Sequence, residues 1–179
     1  MTRLSVLLVL CVTLAACTPS PVSTPEPTRV PLRDIDMRQL LVPLEDLTNS
    51  YLGTTTKDEL PNLDVPDPLK MIWQQLERFG VVVGGVRIYL YESTIDVARA
   101  YEIEVDGISY SSNVQPRPQE IGEDSQLSYY EHGGARIYDL IFTRCYGIAT
   151  IRIGNIYGPE AILDYGSLLD QRMANALCP

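Results

Sequence analysis

Arg136-Ile137-Tyr138-Asp139-Leu140-Ile141-Phe142-Thr143-Arg144-Cys145, then Tyr146-Gly147, then Ile148-Ala149-Thr150-Ile151-Arg152-Ile153-Gly154-Asn155-Ile156, is the stretch on which the fold turns. Its first ten residues are dense in β-branched and aromatic side chains, which suit a pleated, half-buried surface. Tyr146-Gly147 reverses the chain. Beyond it Ala149, Ile151 and Ile153 alternate with Thr150 and Arg152, so one face of the strand is apolar and the other polar. That alternation marks an antiparallel sheet with a covered side. A shorter strand, Leu127 to Tyr130, precedes the pair across the turn His132-Gly133-Gly134. A helix follows it, started by Pro159, with Ala161, Ile162, Tyr165, Leu168, Leu169, Met173 and Ala176 on one face.

Upstream, Val81 to Val83 and Val86 to Tyr91 read as strands, and Gly84-Gly85 is either a hairpin turn or a bulge in one long bent strand. Asp67 and Pro68 suit the N-cap and first position of a helix carrying Leu69, Ile72, Trp73, Leu76 and Phe79 and closed by Gly80. Ser93 or Thr94 caps a further helix with Ile95, Ala98, Tyr101 and Val105, and Asp106-Gly107 reads as a turn. Arg38 to Val42 reads as a strand ended by Pro43. Residues 48–67 and 109–119 read as polar loops. The expectation is an α+β fold: one domain, mainly an antiparallel sheet, packed by about three helices.

The N-terminus carries an address. Arg3 precedes the apolar run Leu4 to Thr13, and Leu14-Ala15-Ala16 ends it with small residues, as in a secretory signal peptide. The run is shorter than the ~20 residues a bilayer core requires. Leu14-Ala15-Ala16-Cys17 resembles the lipobox of bacterial lipoproteins, in which the cysteine is lipidated and the signal is cut before it. The organisation implied is a signal peptide over 1–16, a lipidated Cys17 with a Thr/Ser/Pro-rich spacer over 17–31, and a globular domain over 32–179. Two or more acyl chains on Cys17 would hold the domain stably to a membrane surface outside the cytoplasm.

The 179 residues carry a formal net charge of −9, which disfavours nucleic acid as a partner and a polybasic grip on anionic lipid. Cys145 and Cys178 remain in the folded part. In an oxidising compartment they are expected to form a disulfide stapling the last helix to a strand, the alternative being two free thiols.

No motif of catalysis stands out. His132 is the single histidine and sits in a turn, and no P-loop, Gly-x-Ser-x-Gly or His-Glu-x-x-His is present. Val83-Gly84-Gly85 lacks the third glycine and the following helix of a dinucleotide loop. One histidine and two paired cysteines cannot close a zinc site. No cofactor or metal is expected. Glu123-Asp124 and Glu102/Glu104/Asp106 leave a carboxylate pair open. Of the eleven tyrosines, Tyr89 and Tyr91 share a strand face and Tyr130 and Tyr138 could meet across a hairpin, which makes these four a candidate interaction surface.

Ile121-Gly122-Glu123-Asp124-Ser125, two facing strands, and a helix with Leu168-Leu169-Asp170-Gln171-Arg172 resemble extracytoplasmic domains of the Mog1/PsbP-like type. The resemblance implies a non-enzymatic binding or accessory module and carries no site residue across. The expected role is a lipid-anchored module that binds an envelope protein or small ligand. The alternatives are a carboxylate-based hydrolase of envelope polymers and a structural subunit of an envelope complex.

Overall fold

The computed structural model describes residues 30–43, 56–57, 66–78, 81–109, 113–115, 120–155 and 158–178. The signal segment, Cys17 and most of the 48–67 loop lie outside them. Among the described residues seven strands form one sheet: β1 (Thr56–Lys57), β2 (Lys70–Arg78), β3 (Val81–Leu90), β4 (Asn113–Val114), β5 (Ser125–His132), β6 (Ala135–Arg144) and β7 (Gly147–Asn155). Their spatial order is β1-β2-β3-β7-β6-β5-β4, and every neighbouring pair is antiparallel. Two α-helices accompany them, α1 (Thr94–Ser109) and α2 (Glu160–Leu177). The α+β expectation holds in its main architecture, with two α-helices among the described residues instead of about three.

Both hairpins at the centre follow from local chemistry. Gly133 and Gly134 take φ values of 58° and 80°, so a two-residue turn of the twist-matched kind joins β5 to β6. The next turn forms at Cys145, with φ 51°, and Tyr146, one residue before the expected Tyr146-Gly147, because Gly147 already pairs with Arg144 as the first residue of β7.

The helix expected over 68–79 is strand β2. Leu69, Ile72, Trp73 and Leu76 fit a helical spacing, but Ile72, Gln74 and Leu76 also share one face of a strand, and all three are buried. The sequence hid this because the middle member is polar. Gln74 is accommodated in the core because its side-chain oxygen accepts a hydrogen bond from the Tyr165 hydroxyl on α2 at 2.7 Å.

Gly84-Gly85 is no turn; β3 runs through it as one strand. Leu76 pairs with Gly84 while Glu77 pairs with Val82, so Val83 is the extra residue of a bulge. A Cβ on Gly84 would fall 1.9 Å from the Arg152 carbonyl oxygen of β7, so only glycine fits where these strands meet.

The strand expected at Arg38 to Val42 is replaced by two short 3-10 turns, Leu32–Asp34 and Met37–Gln39. The Asp36 carboxylate accepts the Arg38 N–H at 3.0 Å, a local bond that competes with extended backbone. The turn expected at Asp106-Gly107 lies inside α1, whose last turn is held by Ile108 packing on the sheet. Ser93 does cap α1: its Oγ accepts the Asp96 N–H at 3.1 Å and donates to the Asp96 carboxylate at 2.7 Å. The face of α1 turned to the sheet carries Val97 and Ala100, whereas Ile95 is 78% exposed.

The helices cover opposite sides of the sheet. Ile162, Tyr165, Leu169 and Met173 of α2 pack with Ile72, Val86, Ile88, Leu140 and Ile151, joined by Leu40 and Val42 of the N-terminal segment. On the other side α1 packs on Met71, Tyr89, Tyr91, Ile141 and Ile148. α2 is fastened at the β6–β7 turn by the Cys145–Cys178 disulfide and by the Arg144–Asp170 ion pair. No helix among the described residues is long and apolar enough to cross a membrane.

Candidate functional site

On the α1 side, register puts polar residues in adjoining rows across the sheet. Trp73 of β2 lies opposite Arg87 of β3, which lies opposite Thr150 of β7, which lies opposite Ile141 of β6. In the next row Gly85 faces Arg152, and Arg152 faces Asp139. These residues, with Glu104 and Ile108 from the C-terminal half of α1, line a cleft of about 190 Å³. Gly85 makes room for the indole: a Cβ there would come within 2.9 Å of Trp73 Nε1.

Asp139 and Arg152 form a two-pronged pair, with Nε to Oδ1 at 2.6 Å and Nη2 to Oδ2 at 3.3 Å. Their side chains are 4% and 55% exposed respectively, so the carboxylate is buried and the guanidinium is not. Burial raises the pKa of Asp139 above the usual carboxylate range, and the pull of Arg152 only partly offsets it. Arg152 shares the bond without the same burial, so its own pKa rises, chiefly through Asp139. Glu104 is raised as well: burial dominates, Arg87, Tyr89 and Arg152 oppose it, and Asp139 adds to it. Behind this wall the hydroxyl of Tyr91 is buried without a hydrogen-bond partner, and burial raises the phenols of both Tyr89 and Tyr91.

Two raised carboxylates have a consequence for stability. In the interval above the unfolded carboxylate pKa of about 4, the native chain binds more protons at these sites than the unfolded chain. Their contribution is therefore full below about pH 4 and is lost as pH rises through the folded-state values. Urea midpoints should fall between pH 4 and pH 7, and Glu104→Gln with Asp139→Asn should flatten that slope. An unchanged slope in the double variant would assign it to other groups.

The four candidate tyrosines do not share a surface. Tyr89 and Tyr91 are buried under α1. Tyr138 is buried on the α2 side and pairs with Tyr129, ring centroids 5.7 Å apart, while Arg136 lies over the Tyr129 ring at 5.0 Å. Tyr130 pairs with Ile137 instead, and Arg152 stands 5.8 Å over its ring. Cys145 and Cys178 are joined as expected; Cys17 lies outside the described residues. His132 is exposed at the end of β5. Glu123, Cys145 and Cys178 come within 4.8 Å of one another, but both sulfurs are spent on the disulfide. Of the carboxylates singled out from sequence, Glu104 alone lines the cleft; Glu102, Asp106, Glu123 and Asp124 are exposed. A second hollow, about 390 Å³, lies among Ile35, Met37, Arg38, Leu69, Lys70 and neighbours, where Lys70 Nζ donates to the Ile35 carbonyl at 2.8 Å.

Trp73, Arg87, Asp139 and Arg152 were not foreseen as a site. A turn at Tyr146-Gly147 would set Asp139 opposite Gly154; the turn forms one residue earlier, at Cys145–Tyr146, and that shift is what brings Asp139 opposite Arg152, where opposite charges across a hairpin stabilise each other. Trp73 gave no signal while β2 read as a helix.

No family model matches the chain, and neither does any curated protein. Among solved structures, a GTP binding regulator from Thermotoga maritima is similar at a TM-score of 0.45 and 14% identity, over 80% of this chain and 93% of that one. A likeness at that level carries no argument about what this chain binds.

Proposed function

We propose that the protein is a lipid-anchored, extracytoplasmic, non-enzymatic module that holds a small ligand, or a polar group of an envelope partner, in the cleft beside α1. The lipobox and spacer support the location. The observation that carries the binding role is the cleft itself, where β2, β3, β6, β7 and α1 bring Trp73, Arg87, Asp139, Arg152 and Glu104 together. Concave sites with a few convergent polar groups and shifted carboxylates are where small ligands bind.

The same pair of acids favours a second reading, a two-carboxylate hydrolase. Against it, both oxygens of Asp139 are engaged by Arg152, which leaves Glu104 as the one acid with an uncommitted role. The structural-subunit reading has less support, since the exposed large apolar side chains of the described strands and helices are spread over three elements, Val81 and Val82 on β3, Ile95 on α1 and Val114 on β4.

The chain has a single tryptophan and it lines the cleft, so its emission reports occupancy. Full-length protein should show saturable emission changes with one class of envelope-derived ligand, and no release of reducing ends from envelope glycan. Turnover abolished by Glu104→Gln would establish the hydrolase instead. The anchor is checked separately: Cys17→Ala should shift the protein from the membrane to the soluble fraction and abolish labelling by radioactive palmitate.

A further inference from the structure

The cleft has a size, a charge balance and a chemical texture that together narrow its ligand. Its volume of about 190 Å³ is below the ~300–1,000 Å³ of sites for drug-sized molecules, so it suits one ring or one short side chain. Arg87 and Arg152 stand against Glu104 and Asp139, so the lining is balanced although the chain as a whole is strongly acidic. A free anion entering it meets Glu104 and Asp139, and a free cation meets Arg87 and Arg152, so neither finds an unopposed counter-charge. A neutral ligand meets no such obstacle.

The lining offers both senses of hydrogen bonding. Arg152 spends two of its five N–H donors on Asp139, Glu104 supplies acceptors, and Thr150 supplies both. Trp73 adds a broad apolar surface beside them, seated where Gly85 has no side chain. A neutral group that is polar around its rim and apolar across its face is a sugar ring.

We infer that the cleft takes a single uncharged pyranose ring of an envelope glycan, with Trp73 against the ring's C–H face and Arg87, Glu104, Thr150 and Arg152 at its hydroxyl or acetamido groups. This rests on the reading of the cleft as a binding site and names its ligand class.

The test uses the full chain in a detergent that carries no sugar headgroup. Trp73 emission is titrated with the N-acetylglucosamine trimer, with D-alanyl-D-alanine and with inorganic phosphate, and each titration is repeated by calorimetry. The trimer should give a saturable change and the other two none at equal concentration. Arg87→Ala, at an exposed position where the fold should persist by circular dichroism, should weaken the trimer about tenfold, as expected for a lost hydrogen bond from a charged donor. A response to the dipeptide or to phosphate without one to the trimer would overturn the sugar assignment while keeping the cleft as a binding site. Silence with all three probes by both methods would overturn the cleft reading as well.

Discussion

Replacing Cys145 and Cys178 together with serine is expected to lower the unfolding free energy by about 3–4 kcal/mol. The bridge spans a sequence separation of 33, enclosing all of β7 and α2, and opening a loop of that length returns conformational freedom to the unfolded chain. The native state loses a fastening too. Cys178 is the C-cap of α2, its N–H bonded to the Ala174 carbonyl, and without the bridge the last turn around Leu177 is free to fray. Urea unfolding of the wild type and the double variant, both without reductant, measures the difference. A loss under about 1 kcal/mol would mean that packing of Leu169, Met173 and Leu177 secures α2 without help.

Arg144→Met is expected to cost about 3–5 kcal/mol, because it leaves Asp170 as a buried carboxylate with no counter-charge. Asp170 lies on the sheet-facing side of α2, its side chain 9% exposed, and receives Arg144 Nε at 2.7 Å along with the second prong from Nη2. Arg144 is itself raised in pKa, first by this hydrogen bond. The cost belongs to the orphaned charge more than to the pair, so Arg144→Met combined with Asp170→Leu should recover most of it. Equal instability of the single and double variants would show that the guanidinium contributes through packing instead. Both fastenings meet at one place: Arg144 ends β6 and Cys145 begins the turn, so α2 is secured by two neighbouring residues.

The hairpins around β6 were readable because their determinants are local. Gly133-Gly134 can occupy the left-handed region without a Cβ, and Ala149, Ile151 and Ile153 alternate as a half-covered strand must. The same locality made α2 and the cap at Ser93 visible. β2 was misread because its residues satisfy two periods at once, and the choice between them depends on a distant partner. The free edge of β3 offers a full ladder from Lys70 to Arg78, and Tyr165, 91 residues away in sequence, supplies the hydrogen bond that lets Gln74 be buried. Short-range pattern cannot weigh a bond of that separation.

The tyrosine surface dissolved for a related reason. Tyrosine content and strand parity say which side chains share a face of a strand, but not what lies on that face. α1 lies over Tyr89 and Tyr91, and a one-residue offset from the pairing assumed puts Tyr129, not Tyr130, opposite Tyr138. The cleft likewise assembles residues from β2, β3, α1, β6 and β7, none adjacent in sequence to all the others. Composition, turn residues and side-chain period were enough for the α+β class, the two central hairpins and the last helix, since each depends on neighbours along the chain, while the bridge followed from an even pair of cysteines in an oxidising compartment. Which face each helix covers, how β2 pairs and where a cleft opens were settled by long-range packing, because burial and charge pairing are properties of the surroundings a residue acquires only when the chain has folded.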